Sequence, residues 1–476
     1  MRYLRTIFIS MLLAGVLLTL AWGQEDTSMK PVDAYPPVGQ ENTTAADANV
    51  QQNQQEISPD TNPPTGAQEL TLGSLESGRN YLNGSFRFNQ MANFNNNGSQ
   101  WGTVTNLIGQ MALNRTGKSS SFALQYGGAG FIPTNQHFGA SQAQQLGISE
   151  TLTGGRWSLF LADEAVYSPE GGYGFGGLGL AGGFGSQIFT GLSPNLANQQ
   201  TALVEARRVG NTSLAQVQYK LSARSSITAF GTYGLLHFVD PGFIDSNQVL
   251  GQIGYNYSPT RHDTVSLSYG YGQFHFGGGT NSGLKSHSLD LGYVRRITGR
   301  LTFDLAAGPQ LIFTQSFVTV PILQLGPFII YGTTKENFRR LSWSGRSNVQ
   351  YSLGRNHLTL SYLRAVTGGS GVLAGAQTSA GQAAIEHIFN HSWSGGLNFG
   401  YAHNGALAAA SGGYSSLYGG ARMQRHVGRE GDLSFSYRLQ RQQTSRACSA
   451  SVCGLDLLQH IIGVGFQWQF RPIRLD

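Results

Sequence analysis

The chain has 476 residues, a net charge of +6 and only 12% charged residues, while glycine alone supplies 65 positions. Glycine is thus at about twice its usual share, beside abundant Asn, Gln, Ser and Tyr. That balance argues against a soluble α/β enzyme or a helical bundle, and the length is too great for one ordinary soluble domain. It fits a long antiparallel β-protein whose two faces meet different solvents.

Residues 1–23 read as a processing signal. Arg2 and Arg5 form a basic start, Ile7 to Leu20 is almost wholly apolar, and Ala21-Trp22-Gly23 offers small residues where a signal peptidase cuts. The apolar run is short for a spanning helix, which needs about 20 residues. Cleavage after Gly23 is expected, giving an exported chain. Residues 24–78 follow as an acidic linker rich in Pro, Asn, Gln and Thr, with too few large apolar side chains to fold alone. Residues 24–75 hold eight acids (Glu25, Asp26, Asp33, Glu41, Asp47, Glu56, Asp60 and Glu69) against Lys30, a charge of −7. With +2 in the signal, residues 76–476 carry +11. A basic chain often binds nucleic acid, but an exported one with dispersed arginines does not fit that partner.

From about Tyr81 the texture becomes short alternating stretches separated by turn residues. Eight tight turns stand out: "RTGKSS" at Arg115, "TGGR" at Thr153, "SARSS" at Ser222, "SPTRHD" at Ser258, "TGR" at Thr298, "GRN" at Gly354, "NHS" at Asn390 and "GREGD" at Gly428. Each lies between period-two runs such as "GQIGYNYS" and "TVSLSYGYG", which is the pattern of β-hairpins. Eight hairpins, one strand around Phe86 to Phe94 and a last strand ending at Phe470 make eighteen. Residues 200–221 read as one long strand or two short ones, so sixteen strands stays open.

Parity sorts the faces. Phe122, Leu124 and Tyr126 share one side of their strand, as do Ile253, Tyr255 and Tyr257, and Leu397, Phe399 and Tyr401. Asn256, Thr302, Gln350, Asn398 and Ser434 occupy the other side. In the closing stretch "IIGVGFQWQF", Ile462, Val464, Phe466, Trp468 and Phe470 alternate with glycine and glutamine. An all-β, antiparallel sheet that is greasy on one face throughout predicts a closed transmembrane barrel. Hydrocarbon offers no partner for the N–H and C=O groups of an open edge.

This strand texture, with a final strand ending in an aromatic residue, resembles the outer-membrane β-barrel proteins of Gram-negative bacteria, and porins in particular. The resemblance covers about residues 79–470 and implies a barrel in the outer membrane, with residues 24–78 and 471–476 on the periplasmic side. It implies contact with outer-membrane lipid and lipopolysaccharide, delivery by the barrel assembly machinery, and passage of small hydrophilic solutes, and it leaves a homo-oligomer open. Phe466, Trp468 and Phe470 resemble the assembly signal of that class, although here "RPIRLD" follows the aromatic. No cofactor, no metal site and no enzymatic activity are expected.

By parity Arg87, Lys220, Arg296, Arg346, Arg422 and Arg438 face the lumen, against Glu164, Asp290, Asp304 and Glu386. Such residues either set a weak anion preference or pair and stiffen the wall. A literal G-x-G-x-x-G at Gly172, Gly174 and Gly177 lacks the following helix that dinucleotide binding needs. Its long loop, about Ser168 to Gln199, is instead expected to fold into the lumen and narrow it. The apolar connection Thr314 to Phe338 reads as two strand extensions around Gly326-Pro327, or else as an inward flap or a partner contact. His387, His391, His403 and His426 stand in no G-x-S-x-G context and at no informative spacing from a carboxylate, so a lipid-modifying barrel enzyme ranks third. A barrel serving a polysaccharide-export or secretion apparatus ranks second, behind a diffusion channel.

Cys448 and Cys453 are the two cysteines of the chain, in "RACSASVCGLD" between the last two strands. An oxidising compartment predicts a disulfide here, since a metal site would need more ligands nearby. Alkylation of the native protein should therefore fail until a reductant is added. Two reactive thiols without reductant would exclude the bond.

Overall fold

The computed structural model describes residues 80–95, 101–133, 141–168, 207–241, 243–277, 282–325, 328–368, 371, 373–407, 412–444 and 457–475. The signal segment, the acidic linker, Cys448, Cys453 and nearly all of the 168–199 loop lie outside them. Eighteen long strands follow one another. They are β1 (Tyr81–Asn95), β2 (Trp101–Thr116), β3 (Ser120–Pro133), β4 (Ser141–Gly154), β5 (Trp157–Ser168) and β6 (Arg208–Lys220). Next come β7 (Ser225–Phe238), β8 (Ser246–Tyr257), β9 (Asp263–Phe276), β10 (Gly283–Thr298), β11 (Leu301–Leu325) and β12 (Phe328–Leu353). The ring is completed by β13 (Asn356–Thr367), β14 (Ala376–Ile388), β15 (Trp393–Ala406), β16 (Gly413–Val427), β17 (Gly431–Thr444) and β18 (Leu457–Gln469), and a two-residue β19 (Ile473–Arg474) follows. Residues 208–220 form a single strand, so the count is eighteen and the sixteen-strand alternative falls away.

Each strand pairs antiparallel with its sequence neighbours, and β1 pairs with β18 from Ser85↔Gln469 to Asn95↔Gln459, closing the sheet. Closure leaves no open edge between the first and last strands, as a membrane-spanning sheet requires. The eight tight turns all fall at one end of the ring and the longer connections at the other. Gly155 and Gly354 open two of these turns with φ of 58° and 59°. That left-handed conformation is what a two-residue hairpin turn needs and what glycine adopts without strain.

One hairpin exceeds the others. Strands β11 and β12 stay paired out to Leu325↔Phe328, whereas β10 leaves β11 at Gly283↔Gln315. Residues 316–325 and their partners therefore project beyond the neighbouring strand by about 33 Å, at about 3.3 Å per residue. The connection forms two strand extensions, and the turn itself lies outside the described residues.

The barrel is inside out. Ile253, Leu267, Leu291 and Leu397 are each more than half exposed on the outer face. Asn256, Thr228 and Ser268 are buried on the inner one. There Asn256 Nδ2 donates to Thr228 Oγ1 at 3.2 Å, and Ser258 and Thr264 share a bond of 3.0 Å. Trp157, Tyr219, Tyr257 and Trp468 stand exposed near the short-turn end, where aromatic rings suit the membrane interface. The outer face also carries polar groups in mid-strand. Asp163 accepts from Ser213 Oγ at 2.5 Å and Asn211 Nδ2 at 3.2 Å, and Gln90 accepts from Thr105 Oγ1 at 2.5 Å. Cross-strand pairing supplies the hydrogen bonds that lipid cannot.

The seam between first and last strands has its own packing. Phe470 donates its N–H to Gly84 O at 2.8 Å, and its ring lies over Gly84, where a Cβ would come within 3.2 Å of Cδ2. Beyond it, Ile473 and Arg474 pair with Leu82 and Tyr81, and Arg471 Nε donates to Glu430 at 2.6 Å. The last residues thus continue the seam rather than hang from it.

Two changes test this seam. Phe470→Asp takes the ring off Gly84 and puts a charge on the outer face of the seam, and it should leave a protease-sensitive chain without heat-modifiable migration. Truncation after Phe470 should keep that migration, because an exposed ion pair contributes about 0–1 kcal/mol. Normal migration of Phe470→Asp would refute the role of the ring.

Candidate functional site

A closed barrel with a greasy exterior encloses a second surface, and that surface carries the chemistry. Strand parity puts Arg87, Glu164, Lys220, Asp290, Arg296, Asp304, Arg346, Glu386, Arg422 and Arg438 on the inner face, opposite the exposed apolar side chains of the same strands. They do not form one cluster. Lys220, Arg296 and Glu386 lie toward the short-turn end of their strands. Arg346 is buried and pairs with Asp304, with Nη2 3.0 Å from Oδ2. Asp290 accepts from Ser344 Oγ at 2.5 Å, and Glu164 accepts from Gln145 Nε2. On β10 and β11 the inward Asp290 and Asp304 are thus matched by a donor and a cation.

A different wall is basic. Arg422 on β16 is opposite Ser436 on β17, and Arg438 is opposite Gly420, so the two arginines are diagonal neighbours. Arg87 on β1 donates from Nε to Gln467 Oε1 at 3.1 Å, and Gln467 is opposite Asp432. Arg422 Nη2 donates to Gln424 Oε1 at 3.3 Å. Among the described residues, Asp432 is the one inward carboxylate on β16, β17, β18 and β1, and it pairs with His426. Tyr418 crosses β15 at Gly400, where any Cβ would overlap its ring, and its hydroxyl donates to Gln382 at 3.1 Å.

At the long-loop end the inner face turns apolar. Phe274 and Phe276 of β9 pack with Leu284, Ile312, Val366 and Leu407. A second group joins Leu236 and Phe238 of β7 to Leu373, Ala376 and Tyr414 of β16. In an eighteen-strand ring β7 and β16 are nine strands apart either way round, so this contact crosses the lumen. Leu373 makes the crossing. It belongs to the β13–β14 connection, which folds inward and is tied down by Ile244 N–H donating to Gly371 O at 2.8 Å. Gly371 (φ 74°) and Gly375 (φ 86°) give the backbone its left-handed bends. At Gly371 a Cβ would also overlap the Phe238 ring.

The infolded part is therefore in the β13–β14 connection, at Gly371 and residues 373–375, which sequence reading passed over. The 168–199 loop, expected in that role, lies outside the described residues. A signal was present in "TGGSGVLAG": two apolar residues inside a glycine-rich turn at the long-loop end, with no lipid to face. The arrangement leaves a polar, largely basic lumen toward the short turns and an apolar bridge toward the long loops.

A closed strand ring with an apolar outer band is a transmembrane β-barrel of the outer-membrane type. No family model matches the chain, and no curated protein matches it. Solved structures similar to it include the outer membrane protein opdK from Pseudomonas aeruginosa, at 10% identity and TM-score 0.38, over 83% of this chain and all of that one. A BenF-like porin from Pseudomonas fluorescens Pf-5 aligns at 9% identity and TM-score 0.41, over 84% and 100%. OccAB4 of Acinetobacter baumannii aligns at 8% identity and TM-score 0.42, over 83% and 99%. Likeness of this degree bears on neither solute nor partner.

The bridge makes a direct prediction. Gly371→Val adds a Cβ inside the Phe238 ring and strains a left-handed residue by about 1–2 kcal/mol. Leu373→Asp places a charge in the apolar contact. Both should release the segment and raise single-channel conductance severalfold in planar bilayers. Conductance unchanged in both would show that the bridge is no barrier.

Proposed function

We propose that the protein is a porin-like channel of the Gram-negative outer membrane, carrying small hydrophilic solutes by passive diffusion with a weak anion preference. The observation that carries this reading is the inner face of the ring. Eighteen strands enclose a lumen wide enough for water, and its wall is lined by Asn, Gln, Ser and Thr with Arg87, Arg422 and Arg438 on one side. Three like charges grouped on one wall give that side of the lumen a positive potential for a passing anion. Arg346 adds little to it, because Asp304 offsets its charge at 3.0 Å. The acidic segment 24–75 has the sign to enter such a lumen as a tethered plug.

A second reading rests on the apolar bridge. A lumen spanned from β7 to β16 also suits a plugged barrel that opens for a partner, as in an export or secretion apparatus. Conductance separates the two, since a plugged barrel passes little current until the bridge is released.

The charge reading is tested by replacing Arg87, Arg422 and Arg438 together with Ser. Reversal potential in a salt gradient should move toward cation preference, and the shift should shrink as the screening length falls from about 10 Å at 0.1 M to about 3 Å at 1 M. Replacing Arg346 and Asp304 together with Ser removes no net charge and should shift nothing. An unmoved reversal potential in the triple variant would overturn the assignment.

A further inference from the structure

The outer face holds a second ordered pattern, on β9 to β12 near the long-loop end. Strand register brings Gln273, Lys285, Phe313 and Arg339 into one row across four neighbouring strands. The next row toward the short turns is Tyr271, His287, Leu311 and Leu341, and beyond it come the pairs Tyr269–Leu289 and Pro309–Trp343. All share the parity of the exposed side chains Leu267, Leu289 and Leu291 and so point away from the lumen. The two cations stand in the outermost of these rows, and the row and pairs below it mix aromatic and aliphatic side chains, with Leu341 74% exposed.

The rings form a connected platform. Tyr269 OH and His287 Nδ1 are 2.7 Å apart, the His287 and Phe313 rings meet edge to face at 5.9 Å, and the Arg339 guanidinium stands 5.8 Å from the Phe313 centroid. Lys285 and Arg339 are exposed on either side of Phe313, about 10 Å apart at about 4.8 Å per strand. Within the described residues neither is in an ion pair, and no carboxylate shares this face in the rows just given. Lys335 lies on the same face of β12, four residues further out.

Two exposed cations that flank an aromatic platform at the long-loop end suit an anion held at a membrane surface. We infer that this face of β9 to β12 is a binding site for the phosphorylated headgroup of an outer-leaflet glycolipid, lipopolysaccharide. Lys285 and Arg339 take its phosphates, Phe313, His287 and Tyr271 lie against its sugars, and Leu289, Leu341 and Trp343 meet its acyl chains. The direction of the layers agrees with the long-loop end facing outward, as the short turns of such barrels are periplasmic. The site rests on the barrel being an outer-membrane one and is independent of what passes through the lumen.

The test uses full-length protein refolded in lipopolysaccharide-free detergent, with purified lipopolysaccharide, dephosphorylated lipopolysaccharide and inorganic phosphate as probes. Reversing one charge beside an anionic headgroup should weaken affinity about 30-fold, so Lys285→Glu and Arg339→Glu should each do this. Arg441→Glu, at an outward arginine on β17 at the same end, should change it less than threefold. Heat-modifiable migration reports that each variant is folded. If a Glu variant fails to fold, Lys285→Gln and Arg339→Gln replace it, each with a loss of about fivefold. Equal losses in all three positions would overturn the site. So would undiminished binding of the dephosphorylated lipid, and inorganic phosphate bound as tightly as lipopolysaccharide would exclude the lipid as its ligand.

Discussion

Hydrocarbon accepts no hydrogen bonds, and that one fact organises the molecule. A sheet in lipid must leave no edge, so β1 and β18 have to meet in register although 380 residues separate Arg87 from its partner Gln467. Closure is therefore the most non-local contact of the fold and the one on which all others depend. The ring of Phe470 over Gly84 and the bridge of Ile473–Arg474 to Tyr81 and Leu82 reinforce that seam. The polar outer residues obey the same constraint. Asp163 and Gln90 each bind donors on the neighbouring strand, because nothing beyond the barrel can supply one.

Once the ring is closed, the inner surface is free to be polar, and its charges divide by wall. Matched groups such as Arg346 and Asp304 hold β11 to β12 together, whereas Arg87, Arg422 and Arg438 lie among glutamines on the other side. A matched pair has little field beyond its own length, while a group of like charges projects one into the lumen. The same residue type thus sits in a matched pair on one wall and in a group of like charges on the other.

The long-loop end obeys a different rule. There the inner face is apolar, and apolar side chains without lipid pack on each other. Leu373 bridges β7 and β16 because two glycines let its segment turn inward, and a substitution at Gly371 would meet Phe238. On the outside the same end carries its cations in an outer row, above rows of mixed aromatic and aliphatic side chains, matching the gradient of a membrane surface.

The eighteen strands, their turns and the two faces were legible in the sequence, since period-two alternation follows from strand geometry alone. "GVGFQWQF" shows which side of β18 is greasy without any knowledge of its neighbours. The long arms of β11 and β12 were one of the readings left open by an unusually apolar connection, Thr314 to Phe338. Parity also assigned each charge to a face, but not to a partner. Register decided that Arg346 meets Asp304 while Arg422 and Arg438 meet glutamine and glycine, because pairing across strands depends on shear around the ring. The inward placement of Gly371 and Leu373 and the row of Lys285, Phe313 and Arg339 likewise join residues that no local pattern connects. Alternation is a property of one strand. Which side chains stand beside one another is a property of the closed ring.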